Sequence, residues 1–98
     1  MKKVVLILTM VAVSSLMAID GATLYKKCAA CHGAKGEKKS LNVGKIIQGW
    51  SKDELVSSMK GYQDGTYGRS MKALMKGQVD AYSDEQIDAL AEYITTLK

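Results

Sequence analysis

The chain has no proline and no phenylalanine, a single tryptophan, a single histidine and only two cysteines. Each scarcity excludes something. One histidine and two cysteines give three Cys/His ligands in all, one short of a structural zinc site. With one Trp and five Tyr as its only aromatics, the chain has thin aromatic material for a core. No repeat or low-complexity tract divides the 98 residues, which allow one domain at most. No stretch interleaves aromatic with basic residues, so the pI of about 9.1 does not point to nucleic acid.

That pI is inflated by the N-terminus. Lys2 and Lys3 precede an apolar run over residues 4–13, which leads into Ser14-Ser15-Leu16-Met17-Ala18. This is the layout of a secretory signal peptide with the small residue Ala18 last before cleavage. Residues 4–19 include Thr9, Ser14 and Ser15 and fall short of the roughly 20 apolar residues of a spanning helix. The expected division is a cleaved leader over 1–18 and one exported domain over 19–98. Two of the 14 basic residues and none of the 10 acidic ones lie in the leader, so the 80-residue remainder carries +2. A domain of that size is only marginally stable on its own core, and a bound apolar group would supply the missing bulk.

The domain reads as all-α, with about four helices. Asp20 is placed to cap a helix reaching His32, and a loop follows over 33–49. Ser51 and Glu54 form a capping-box pair, with Trp50 and Leu55 at the staple positions; Ser83 and Gln86 repeat the box, with Tyr82 and Ile87 as staple. The helix after Ser51 is expected to stop at Gly61, a natural left-handed cap. A short helix over 69–76 is expected to end at Gly77. The last helix places Ile87, Leu90, Ala91, Ile94 and Leu97 on one face. The only strand signal is weak and lies over 43–47.

Both cysteines and the one histidine fall in Cys28-Ala29-Ala30-Cys31-His32. The C-x-x-C-H string is the attachment signature of c-type haem. On a helix, positions i, i+3 and i+4 share a face, so two thiols can add to two haem vinyl groups while the imidazole reaches the iron. A disulfide here would close a tiny loop and stabilise little, and a thioredoxin-like pair would need a βαβ context.

Around this motif the chain resembles the small periplasmic monohaem class I cytochromes c. The likeness runs through Asp20-Gly-Ala-Thr-Leu-Tyr-Lys-Lys-Cys28, Cys31-His32-Gly33, Lys60-Gly-Tyr-Gln-Asp-Gly-Thr-Tyr-Gly68, Met71-Lys-Ala-Leu-Met75 and the helix from Ser83. It implies one haem c held by thioethers at Cys28 and Cys31, with His32 as proximal and a methionine as distal iron ligand. Gly21 and Tyr25 on the first helix, and Leu90 and Tyr93 on the last, match the positions where the family's terminal helices cross. Many members carry a loop proline whose carbonyl accepts a hydrogen bond from the proximal histidine. Ile46 stands there in this chain, where a backbone carbonyl remains able to orient His32.

The function so implied is that of a monomeric electron carrier, not an enzyme. With both axial positions filled, no substrate binds the iron; partners are periplasmic or membrane-bound oxidases, reductases and dehydrogenases. An apolar wall of Leu24, Leu55, Leu74, Ile87, Leu90 and Ile94 is expected to exclude water. Lys26, Lys27, Lys35, Lys38 and Lys39, opposed only by Glu37, give the motif a local charge of +4, suited to docking acidic partners. The alternative is a five-coordinate haem that binds a gas or acts as a small peroxidase, and the sixth ligand decides between them. Met59 sits mid-helix like core filler. Met71 and Met75, four apart, share a face that spacing alone does not resolve; nearness to Gly77 and the family's distal position both favour Met75.

Overall fold

Asp20 caps the first helix: its carboxylate accepts from the Ala22 amide at 3.2 Å and the Thr23 hydroxyl at 2.8 Å. The structure, a computed structural model, describes residues 20–39 and 44–98. The leader lies outside them, as does Val43 of the weak strand signal. Residues 44–47 are not a strand. Among the described residues the chain is all-α: α1 Gly21–His32, α2 Lys52–Asp64, α3 Lys72–Val79 and α4 Asp84–Thr95.

Both capping boxes form. The Ser51 hydroxyl accepts from the Glu54 amide at 3.1 Å while Glu54 accepts from the Ser51 amide at 3.2 Å, and Ser83 and Gln86 do the same at 3.2 and 2.9 Å. Such a cap is worth about 0.5–2 kcal/mol. Acidic residues in the first turns of α2 and α4 add a favourable dipole term.

The helix ends differ from expectation. Gly61 lies inside α2, which runs on to Asp64 and is capped by Gly65 at φ 78°. Gly61 serves a close approach instead: a Cβ there would stand 2.5 Å from the Tyr67 Cβ. Gly77 likewise lies within α3, in open space. The helix continues past it because Val79 is buried and its carbonyl accepts a hydrogen bond from the Gln63 amide at 2.8 Å.

α1 crosses α4 at the four expected residues. A Cβ on Gly21 would collide with the Ala89 carbonyl oxygen and stand 2.8 Å from the Tyr93 Cβ, so only glycine lets the backbones meet. The Tyr25 and Tyr93 rings lie 5.7 Å apart beside the buried Leu90. α2 packs on both α3 and α4. The core joins Tyr25, Leu55, Met59, Val79 and the α4 stripe Ile87, Leu90, Ala91 and Ile94. Leu74, expected in the apolar wall, is 43% exposed. The inward stripe of α3 is Met71, Met75 and Val79, at fourfold spacing, and Leu74 falls outside it.

Candidate functional site

Between the helices lies a cavity of about 370 Å³. Cys28 and His32 line it from α1, Met59 from α2, and Met71 and Met75 from the α3 segment. Leu55, Val79, Leu90 and Ile94 supply an apolar lining. The structure therefore brings together Cys28, His32 and all three candidate methionines. Cys31 is the exception: one turn from Cys28 on the same helix, it is exposed and does not line the cavity.

The backbone around His32 is fixed on both sides. The Lys38 amide donates to the His32 carbonyl at 2.9 Å, and the buried Tyr25 hydroxyl donates to the Gly33 carbonyl at 2.5 Å. Gly36, at φ 68°, offers its carbonyl to the amides of Ile47 and Gln48 at 3.1 and 2.9 Å. That pair folds the far side of the loop back over α1.

His32 is buried, and its Nδ1 has no hydrogen-bond partner. The backbone carbonyl expected to orient it does not do so, and Ile46 is 45% exposed. Burial pushes the His32 pKa down, leaving a neutral imidazole, the form a metal ligand requires. Burial also pushes the Cys28 thiol up, so it stays protonated; it donates to the Leu24 carbonyl, 3.9 Å away. A neutral imidazole with an unsatisfied nitrogen, a thiol and methionine thioethers around one apolar cavity form a donor set suited to haem iron. Among the described residues, no three His, Cys, Asp or Glu side chains converge to hold a bare ion.

Sequence reasoning missed part of the rim. Lys45 lines the cavity, with its ammonium 3.4 Å from the Tyr67 hydroxyl, 5.6 Å from that ring and 5.8 Å from the Trp50 ring. Such cation–π contacts need three segments to meet, which no local motif reports. Tyr62 and Tyr67 also line the cavity, packed edge to face at 5.0 Å. Each has a glycine for its neighbour. Gly61 makes room for Tyr67, and Gly68, at φ 103°, makes room for Tyr62, whose Cε1 would stand 2.6 Å from a Cβ there.

A family model described as cytochrome c matches residues 18–98. The chain belongs to the cytochrome c family. It is 44% identical to cytochrome c-553 of Nitratidesulfovibrio vulgaris (strain Miyazaki F), over 99% of this chain and all of that protein. Cytochrome c-553 of Helicobacter pylori (strain 26695) is 42% identical over the full length of both chains. Cytochrome c-553 of Desulfomicrobium norvegicum is 35% identical over 78% of this chain and 94% of its own. The all-α architecture is that of a small monohaem class I cytochrome c, and the Cys28-x-x-Cys31-His32 string marks it as a carrier of covalent haem c. It is an electron-transfer haem protein with redox partners.

Proposed function

We propose that this cytochrome shuttles single electrons between periplasmic or membrane-bound redox partners, with haem joined to Cys28 and Cys31 and its iron held by His32 and Met75. The observation that carries this is the meeting of Cys28, His32 and Met75 on one apolar cavity, from helices far apart in sequence. When bound, a His/Met-ligated haem supplies a one-electron couple whose potential the soft thioether raises.

The chain's own residues do the rest. His32, neutral through burial, lines the cavity in the protonation state a metal ligand needs. Met75 packs against the buried core, whereas Met71 sits at the N-cap of α3 and Met59 is a buried core residue of α2. With His32 and Met75 both engaged, no position is left for a substrate, which makes the protein a carrier and not an enzyme. Leu55, Val79, Leu90 and Ile94 keep water from the site. Cys31, exposed, marks the edge through which electrons enter and leave.

Export rests on the leader over 1–18, whose removal after Ala18 would free the 19–98 domain. No helix among the described residues is long and apolar enough to cross a membrane. The test is carbon monoxide. The reduced holoprotein, purified from the periplasm, should keep its spectrum under the gas, because both axial ligands stay in place. Rapid CO binding would replace the carrier with a five-coordinate, gas-binding haem.

A further inference from the structure

α3 has one loose end and one fixed end. Met71 caps its start without any side-chain hydrogen bond. At the other end several bonds gather. The Gln63 amide of α2 donates to the Val79 carbonyl at 2.8 Å and to the Tyr82 carbonyl at 2.9 Å. Lys76 Nζ donates to the Gln63 carbonyl at 2.6 Å. Lys27 Nζ, reaching across from α1, donates to the Gln78 carbonyl at 2.7 Å and lies 4.6 Å from the centre of the Tyr82 ring.

The last carbonyls of a helix have no partner within it. Here the Val79 carbonyl accepts from the Tyr82 amide at 3.0 Å and also from the partly buried Gln63 side chain, which bonds the Tyr82 carbonyl too and so ties the turn after α3 to α2. Val79 lies one turn from Met75, and both line the cavity. A shift of this end of α3 therefore moves the Met75 thioether.

We infer that Gln63 is a positioning residue for Met75, holding the C-terminal end of α3 against α2 so that the thioether stays in the cavity with His32. This rests on Met75 as the axial ligand. Local opening of an element follows its own free energy, separate from global unfolding, so loosening this clamp should free Met75 before the fold melts.

The test is titration of the ferric holoprotein with imidazole, which competes with Met75 for the iron. Gln63→Leu removes both donated bonds, and Gln63→Glu keeps the shape while offering no donor. Each should raise the apparent imidazole affinity about tenfold, equivalent to ~1.4 kcal/mol, at temperatures well below Tm. Lys76→Met, which leaves Gln63 in place, should give a smaller rise and keeps the test available if the other variants fail to fold. A lowered Tm with imidazole affinity within about twofold of wild type overturns the positioning role and leaves Gln63 a stabilising residue. If Met75→Ala retains the wild-type red charge-transfer band, the ligand assignment fails and this inference with it. If that variant loses the band while the Gln63 and Lys76 variants bind imidazole as wild type does, the positioning role alone fails.

Discussion

Gly61 and Tyr67 fit together because one of them has no side chain: the Cβ that Gly61 lacks would stand 2.5 Å from the Cβ of Tyr67. Tyr67 lines the cavity, holds the Tyr62 ring edge to face and lies beside the Lys45 ammonium. Gly61→Ala should thus push the chain after α2 outward. Overpacking of this kind costs about 1–3 kcal/mol. Urea melts of the holoprotein should show that loss, although alanine is the better helix former; an unchanged midpoint would mean that Tyr67 moves aside freely.

The same glycine shows where sequence legibility ends. The starts of α1, α2 and α4 are readable because both halves of each cap lie within three residues, as Ser51 and Glu54 do. The ends are not, because their causes are distant. Gly61 answers to Tyr67, and α3 passes Gly77 because Gln63 and the core reward Val79. Leu74 and Val79 exchange roles for a related reason: in so short a helix, tertiary contact chooses the inward stripe. At the site, Cys28, Cys31 and His32 are legible as one contiguous string. Lys45 and the free Nδ1 of His32 are not, since each depends on how a loop closes over the cavity.

Tyr25 offers a two-step test of the helix crossing. Tyr25→Ala should cost about 3–5 kcal/mol for a buried aromatic. Tyr25→Phe, which removes one of the two donors to the Gly33 carbonyl and leaves the Gly36 amide, should cost about 0.5–1.5 kcal/mol. Burial raises the Tyr25 pKa, so the hydroxyl's contribution is fully present below the unfolded tyrosine value of about 10. It is lost as pH rises through the folded value. Denaturant melts at about pH 8 and about pH 11 should show the wild type's advantage over Tyr25→Phe shrinking at the higher pH. An advantage that grows with pH would contradict the burial.

The lysines around the haem motif divide into two kinds. All five are exposed, but among the described residues only the Lys27 ammonium is engaged within the fold, by the Gln78 carbonyl and the Tyr82 ring. Replacing Lys26, Lys35, Lys38 and Lys39 by Gln should slow electron transfer to an acidic partner and flatten its salt dependence, because steering by surface charge is screened over about 10 Å at 0.1 M salt. Lys27→Gln should instead lower stability with little effect on that dependence. Stopped-flow cross-reaction rates over a salt series measure both, and a wild-type rate that does not vary with salt would rule out docking by these lysines.

The ligand set is tested most directly by the weak red charge-transfer band that a methionine–iron bond gives the ferric protein. Met59, Met71 and Met75 all line the cavity, so each is replaced by Ala in turn and the ferric spectrum recorded beside its midpoint potential. Met75→Ala should abolish the band and lower the potential, while Met71→Ala and Met59→Ala keep the band. Capture of the vacated position by a lysine would leave the iron six-coordinate, so the band is the deciding signal and coordination number is not. Loss of the band in Met71→Ala with its survival in Met75→Ala, or its absence from the wild type, would contradict the His32/Met75 carrier.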